Sequence, residues 1–86
     1  MNINELIAIV KNKLKKEIII QNLKIDDKSF LHKKHSGHQK GKFHLKLIIK
    51  SEELAKSSKI VSTKKIYNIL DLELKEHIHS IQILLN

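Results

Sequence analysis

The chain lacks cysteine, arginine and tryptophan entirely. Without cysteine, disulfides, thiolate nucleophiles, zinc ribbons and metal clusters held by the chain's own sulfurs are excluded. Without arginine, the seventeen basic residues are all lysines, which lack the planar guanidinium that binds phosphates and guanine edges in a bidentate manner. The formal charge of +8 therefore indicates a diffuse cationic surface, suited to phosphate backbones, anionic lipid or an acidic partner.

Aromatic residues and long apolar runs are also scarce. Aromatic content is limited to Phe30, Phe43 and Tyr67, so fifteen isoleucines and twelve leucines must supply the core. A length of 86 residues fits one small domain over residues 1–86 and excludes a multidomain enzyme. Uninterrupted apolar runs, such as residues 18–20, are far short of a membrane-spanning helix, and no basic region followed by an apolar stretch marks the N-terminus. We expect a cytoplasmic protein without membrane association.

Hydrophobic periodicity predicts a helix and two strands in the first half of the chain. Apolar residues recur at helical spacing over residues 2–16, which predicts an amphipathic helix capped either by Asn2, together with Glu5, or by Asn4. Residues 18–25 are rich in β-branched side chains and predict a strand. Residues 42–50 alternate and predict a second strand. Its apolar face carries Phe43, Leu45, Leu47 and Ile49, and its opposite face carries Lys42, His44, Lys46 and Lys50.

A long segment, residues 28–42, separates these two strands. It contains both glycines of the chain, together with His32, His35 and His38. Almost nothing in it is apolar after Leu31, which predicts a loop rich in histidine and lysine. Loops of this length in compact domains are usually either functional or disordered, so this loop is the leading candidate for functional residues.

The second half of the chain predicts two helices and a strand. A short helix is expected over residues 51–55, and a longer one from Ser62 or Thr63 to about Glu76. Residues 78–85 alternate again, which places His79, Ile81, Ile83 and Leu85 on the apolar face. The order helix-strand-strand-helix-helix-strand predicts an α+β fold with a three-stranded sheet and helices on one face. The two consecutive helices also match a helix-turn-helix in outline.

Six segments together carry a family resemblance. They are Asp27-Lys28-Ser29, the histidine-rich loop, Phe43-His44-Leu45-Lys46, Ser51-Glu52-Glu53-Leu54, Lys64-Lys65-Ile66-Tyr67 and Ile78-His79-Ser80-Ile81. In their order and spacing they resemble the BolA family, and the resemblance covers roughly residues 20–85. It implies a fold like that of class II KH domains, which agrees with the order of elements predicted from periodicity.

The resemblance implies a small non-enzymatic adaptor or regulator. BolA-like proteins pair with monothiol glutaredoxins and share a [2Fe-2S] cluster with them, and some are described as transcriptional regulators. The family supplies one histidine from the motif that here contains His79, and a histidine or cysteine from the loop. His35 best fits the loop position, with His32 and His38 as alternatives. The glutaredoxin cysteine and glutathione would supply sulfur, so the isolated chain is expected to be a monomer without a cofactor.

Two departures from the family pattern affect the nucleic-acid interpretation. Residues 62–64 read Ser-Thr-Lys where the family usually has Arg-His-Arg, and Leu54 and Lys56 stand where it usually has Phe and Gly. A nucleotide-clamping GxxG loop of the KH type is also missing between the two predicted helices. The best candidates for phosphate contact are Lys59, Lys64 and Lys65. The alternative function is therefore a nucleic-acid-binding regulator, with contacts to DNA that are weak, salt-sensitive and nonspecific.

Each candidate histidine also has a structural interpretation. A histidine on an apolar face, as predicted for His79, is usually a hydrogen-bonded core residue, whereas the resemblance makes it a ligand. The loop histidines are either solvated or spaced to gather around zinc or copper. Neighbouring lysines oppose a free cation but favour an iron–sulfur cluster, which is anionic once its thiolates are counted. No nucleophile elbow or paired carboxylates appear, so we do not expect an enzyme.

Overall fold

The computed structural model describes residues 1–29 and 42–86. His32, His35 and His38 fall within residues 30–41, so the predicted loop ligands lie outside the described residues. The described parts of the chain form, in order, α1 (Ile3–Glu17), β1 (Asn22–Asp27), β2 (Phe43–Lys50), α2 (Glu52–Ala55), α3 (Lys59–Ile69), α4 (Asp71–Glu76) and β3 (Ile78–Leu85). None of these helices is both long and apolar enough to cross a bilayer.

The three strands form one mixed sheet in the order β1-β2-β3. Strand β1 runs antiparallel to β2, from Asn22 opposite Lys50 to Asp27 opposite Leu45. Strand β3 runs parallel to β2. A parallel pair needs a long crossover connection, and α2, α3 and α4 supply it. The first residues of β2 and of β3 therefore lie at the same end of the sheet.

One face of the sheet and the apolar sides of the helices enclose the core. The sheet contributes the inward residues of β2, and α1 contributes an i, i+4 series. The core residues are Leu6, Val10, Leu14, Ile18, Leu45, Leu47, Ile49, Leu54, Ile66, Leu70, Ile78 and Ile83. The predicted α+β class, with helices on one face of a three-stranded sheet, is confirmed.

Helix α1 begins where the sequence predicted. Asn2, rather than Asn4, is the cap, because its Oδ1 accepts a hydrogen bond from the Glu5 backbone N–H at 2.8 Å. The Asn2 side-chain amide in turn donates to Glu5 Oε1 at 2.8 Å. The first of these bonds satisfies a backbone donor that would otherwise lack a partner at the start of the helix, and the second holds the two side chains together.

The predicted start of the first strand is wrong by four residues. Ile18 closes α1, with its N–H donating to Leu14 O at 2.9 Å, and Ile19 is 70% exposed. Strand β2 ends at Lys50, so no strand within residues 1–29 and 42–86 lies beside residues 18–20. The backbone of Ile19 bonds to side chains of the following segment instead: its carbonyl accepts from Ser51 Oγ at 2.7 Å and its N–H donates to Glu53 Oε1 at 3.2 Å. High β propensity without a neighbouring strand produced this error.

The predicted long helix starts earlier and is divided in two. Ser58 is its cap, since Ser58 Oγ accepts from the Val61 N–H at 3.2 Å, whereas the buried Ser62 hydroxyl donates to Leu54 O at 3.0 Å. At Leu70 the backbone leaves helical geometry, with φ −98° and ψ 17°. The Leu70 N–H still donates to Ile66 O, and Leu70 O still accepts from the Leu74 N–H. Because the i, i+4 contacts continue across the break, apolar spacing alone does not reveal it.

A partly buried ion pair joins α4, the element that leads into β3, to α1. Glu73 is buried, and its Oε2 accepts a hydrogen bond from Lys13 Nζ of α1 at 2.6 Å. A buried carboxylate requires such a partner, because burial of an unpaired charge is costly. The Glu73 carbonyl also accepts from the His77 N–H at 2.8 Å. A single residue, His77, separates the end of α4 from the start of β3. The ion pair that holds α4 against α1 therefore helps to position the first residues of β3.

Candidate functional site

The start of β3 contains an irregularity that decides which side chains reach solvent. Phe43 pairs with Ile78, but the next residue of β2, His44, pairs with Ser80. One residue of β3, His79, is therefore extra relative to β2, as in a β-bulge. An extra residue reverses the inside–outside alternation on either side of it, because strand side chains alternate with a period of two.

The bulge moves His79 out of the core. Ile78, which regular alternation would direct outward together with Ser80, is only 2% exposed and belongs to the core. His79 is exposed. The prediction that His79 lies on the apolar face with Ile81 and Ile83 is therefore wrong, although those two residues do face the core as expected. The interpretation of His79 as a hydrogen-bonded core residue falls with it.

A second histidine, His44 of β2, lies beside His79. The two ring centroids are 4.9 Å apart and the ring planes are tilted by 58°. His44 Nδ1 and Ser80 Oγ are 2.6 Å apart and share a hydrogen bond, whose donor depends on the imidazole tautomer. His44 is 5% exposed, so this hydrogen bond joins two strands at a largely buried position.

The backbone of His44 is also tied to the end of β1. Its N–H donates to Ser29 Oγ at 3.0 Å, and its carbonyl accepts from the Lys28 N–H at 2.7 Å. The Ser29 N–H in turn donates to Asp27 Oδ1 at 2.9 Å, so Ser29 is held in place. Residues 30–41 follow Ser29 directly, and the described part of the chain resumes just before Phe43. Both described ends of that segment are therefore next to His44.

Sequence reasoning did not assign a role to His44. Alternation correctly placed it on the face opposite Leu45, but that face was expected to be a lysine-lined solvent face. His44 is buried, and the described residues that contact it, Ser29, His79 and Ser80, are distant in sequence. The available signal was that Ser29, His44 and Ser80 each belong to one of the segments that carry the family resemblance.

Among the described residues, no complete set of metal ligands is assembled. Within residues 1–29 and 42–86, no three His, Cys, Asp or Glu side chains form a group that could hold a metal ion. The structure brings together His79 and His44, and it leaves the predicted loop ligands His32, His35 and His38 outside the described residues.

The predicted phosphate-binding lysines differ from one another in their surroundings. Lys59 and Lys64 are exposed on α3 and line a shallow, almost wholly apolar groove of about 490 Å³ with Ile60, Thr63 and Tyr67. Lys65 points elsewhere, since its Nζ donates to Glu53 Oε2 at 2.8 Å. The structure therefore does not gather the three lysines around one anion-binding point.

The contact between Lys65 and Glu53 also changes the acidity of the glutamate. The hydrogen bond from Lys65, followed by the one from the Ile19 N–H, holds the pKa of Glu53 below its ordinary value of 4.5. Glu53 is thus a stable carboxylate at neutral pH. It offsets part of the positive charge on the surface that was expected to attract phosphate.

Fold and site together define a class: a small α+β domain whose mixed sheet presents an exposed histidine on a β-bulge. A family model described as BolA-like protein matches residues 14–86, and the chain belongs to this BolA-like family. The resemblance inferred from the six segments is thereby confirmed. A search of curated protein sequences finds no significant relative.

Solved structures of BolA proteins have the same fold. The BolA domain of SufE1 from Arabidopsis thaliana is 27% identical with a TM-score of 0.77, over 100% of this chain and 93% of that one. BolA1 from Arabidopsis thaliana is 24% identical with a TM-score of 0.76, over 92% of this chain and 87% of that one. A bol-like protein from Babesia bovis is 17% identical with a TM-score of 0.71, over 91% and 79% of the two chains.

Proposed function

We propose that this BolA-like protein is a non-enzymatic adaptor that completes a [2Fe-2S] cluster shared with a monothiol glutaredoxin, in iron–sulfur cluster trafficking or iron sensing. His79 is its ligand from β3. The observation that carries the proposal is the bulge at the start of β3, which turns this imidazole from the core to the surface. A ligand shared between two proteins must be reachable from outside, and His79 meets this requirement.

The donor chemistry of the chain fits a shared cluster better than a cluster of its own. The chain has imidazoles but no thiolate, so the sulfur ligands have to come from the glutaredoxin cysteine and from glutathione. Such a cluster supplies one-electron redox chemistry and transferable iron and sulfide. Replacing thiolate by imidazole on one iron raises the reduction potential, as in Rieske centres. The role of His79 is to donate a ring nitrogen from a fixed strand.

The second ligand is proposed to come from the loop, with His35 first and His32 and His38 as alternatives. This assignment is supported by the positions of the described residues on either side of residues 30–41. Ser29 is bonded to the His44 backbone, and Phe43 donates its N–H to the His77 carbonyl at 2.9 Å. The described residues that flank 30–41 are therefore anchored beside the strand start that carries His79.

Anaerobic reconstitution tests the role of His79. The chain is combined with iron, sulfide, glutathione and a monothiol glutaredoxin that has a Cys-Gly-Phe-Ser site. We expect a coloured heterodimer whose visible circular dichroism differs from that of the glutaredoxin homodimer, and we expect His79→Ala to abolish that difference. His77→Ala is the matched control, because His77 lies two residues away and contributes backbone hydrogen bonds. A His79→Ala spectrum identical to the wild-type heterodimer spectrum would refute the ligand assignment.

The loop assignment is tested by the same spectrum with single substitutions. We expect His35→Ala to remove the heterodimer bands as His79→Ala does, and His32→Ala and His38→Ala to leave them in place. If His32→Ala or His38→Ala removes them while His35→Ala does not, the second ligand is that residue instead. Intact bands in all three variants would place the second ligand outside the loop.

The alternative function, a nucleic-acid-binding transcriptional regulator, has narrower support. Helices α2 and α3 follow one another across residues 56–58, as in a helix-turn-helix outline, and Lys59 and Lys64 are exposed. Against it, Lys65 is paired with Glu53, and the groove between Lys59 and Lys64 is apolar. Lysine without arginine also gives poor base discrimination. The proposed contact with DNA is therefore weak and nonspecific.

A further inference from the structure

The buried imidazole of His44 is not required as a ligand by the proposed function, yet it lies against His79. We propose that His44 is a positioning residue, which holds the His79 ring in one rotamer so that its nitrogen is presented to the shared cluster. This inference rests on the proposed function for its purpose. The ordering of His79 by His44 can nevertheless be measured in the isolated chain, without a cluster or a partner.

The contacts of His44 make it a fixed surface. Its Nδ1 is 2.6 Å from Ser80 Oγ, and its backbone forms hydrogen bonds with Ser29 and Lys28, which directly follow β1. A residue that is 5% exposed and held at both backbone and side chain has little freedom to change rotamer. His44 therefore presents one ring surface to its neighbours.

His79 needs such a neighbour because of its own location. An exposed side chain ordinarily samples several staggered rotamers, and fixing it on binding costs conformational entropy. A ring packed at 4.9 Å and 58° against an immobile imidazole loses part of that freedom in advance. Ligands that are held close to the productive geometry before binding give tighter and more uniform sites.

The same bulge produces both the exposure of His79 and the contact that orders it. Because His79 is the extra residue, His44 is paired with Ser80 and not with His79. Ser80 can then bond to His44, while the His79 ring packs beside the bonded pair. Without the irregularity, regular alternation would direct His79 and Ser80 to the opposite faces. The residues that order the His79 ring are thus His44 and Ser80, together with the backbone of the bulge.

Side-chain rotamer measurements on the isolated, isotope-labelled chain test this inference. Three-bond couplings about the His79 Cα–Cβ bond are expected to indicate one dominant rotamer in the wild type and averaging in His44→Ala. His44→Phe, which keeps a ring without its nitrogens, should restore most of the wild-type pattern. Ser80→Ala, which removes the hydrogen bond between Ser80 Oγ and the His44 ring, should give intermediate averaging. His77→Ala is the control and should match the wild type.

A second measurement separates positioning from ligation. In the reconstituted heterodimer, His44→Ala should weaken the visible dichroism, and His44→Phe should recover it. If His44→Phe abolishes the bands as completely as His79→Ala while the His79 couplings stay at wild-type values, His44 is itself a ligand and the inference is overturned. Unchanged His79 couplings in His44→Ala would also overturn it.

Failure of the proposed function gives a different pattern. In that case His79→Ala leaves the heterodimer spectrum unchanged, while the couplings in the isolated chain still report whether His44 orders His79. Because His44 is buried, the amide spectrum of each variant first establishes that it is folded. If His44→Ala is unfolded, His44→Gln replaces it, since glutamine can still bond to Ser80 but offers no ring, and the same averaging is expected.

Discussion

The two ends of the parallel β2–β3 pair present different kinds of candidate site. At the end where both strands start, His44, His79 and Ser80 meet at the bulge. At the end where both strands finish, a cleft of about 420 Å³ lies between the strands and the start of α3, with Lys59 at its rim. We refer to these regions as the histidine end and the lysine end.

The comparison shows that side chains of the two ends are positioned by different means. At the histidine end, residues 36 positions apart in sequence share a hydrogen bond, and an irregular strand pairing decides which ring is exposed. At the lysine end, Lys59 and Lys64 lie on the surface of one helix, and Glu53 offsets the charge of Lys65 on the same helix. The histidine end is held together by contacts between residues distant in sequence, whereas the lysine end is mainly the charged surface of one helix.

The largest expected effect concerns the bulge itself. Ile78→Ala should lower the free energy of unfolding by about 2–5 kcal/mol, the usual cost of truncating a buried isoleucine. His79→Ala should change it by less than about 0.5 kcal/mol, because exposed side chains contribute little. Urea denaturation of the two variants measures both values.

These neighbouring residues act as controls for each other. A regular β3 would reverse the order of the two effects, since His79 would then be the inward side chain and Ile78 the outward one. A larger loss for His79→Ala than for Ile78→Ala would therefore show that the bulge is absent, and the contrast between the two ends would no longer hold.

A smaller effect is expected for the hydrogen bond between His44 and Ser80. Ser80→Ala should destabilise the fold by about 1 kcal/mol, the typical net value of one hydrogen bond with a buried partner. Gln82→Ala is the matched control, because Gln82 is exposed on the same outer face of β3. Urea denaturation of both variants provides the comparison. Equal stabilities for the two would mean that the bond contributes nothing to the histidine end.

At the lysine end, the lowered pKa of Glu53 predicts a pH dependence. The folded-state pKa lies below the ordinary 4.5, so the stabilising contribution is present above pH 4.5 and is lost as the pH falls through the folded value. Glu53→Gln should therefore destabilise the chain at neutral pH and match the wild type at low pH. Thermal unfolding between pH 3 and pH 7 measures this difference.

Lys65→Met tests the cause of that dependence. Lys65 supplies the largest contribution to the lowered pKa of Glu53, so the pH-dependent effect of Glu53→Gln should shrink when Lys65 is replaced. If the effect of Glu53→Gln is the same with and without Lys65, the ion pair at 2.8 Å does not carry the shift.

The smallest effect is expected for DNA. We predict weak duplex binding that falls steeply with salt, a few-fold loss for Lys59→Ala with Lys64→Ala, and less loss for Lys65→Ala, whose charge is already paired. Fluorescence anisotropy with a labelled duplex and unlabelled competitor measures these changes. Binding that resists competitor at physiological salt would show that the lysine end reads nucleic acid after all, and would favour the regulator function.

Local and periodic features of the fold were predictable from the sequence. Apolar spacing, with Asn2 as one of two cap candidates, gave the bounds of α1 to within one residue, and the alternation of Leu45, Leu47 and Ile49 did the same for β2. Both are short-range patterns. The start of β1 was not predictable from propensity, since it depends on where β2 ends. The break at Leu70 left the apolar spacing intact and therefore gave no signal.

The candidate site was predictable as residue types but not as geometry. His79 was identified through the family resemblance, yet its face was wrong, because one extra residue in β3 reverses the alternation and no residue type marks it. His44 was overlooked because its hydrogen bonds with Ser29 and Ser80 join residues that are far apart in sequence. The loop histidines and the glutaredoxin partnership stay predictions.

The proposed function requires that an imidazole of this chain coordinates the shared cluster. Pulsed electron-nuclear double resonance on the reduced heterodimer can decide this, with the chain labelled by ¹⁵N-histidine and the glutaredoxin unlabelled. We predict strong ¹⁵N coupling to the cluster in the wild type, and loss of one coupled nitrogen in His79→Ala with no change in His77→Ala. A reduced cluster that shows no ¹⁵N coupling from the labelled chain would contradict the proposed function.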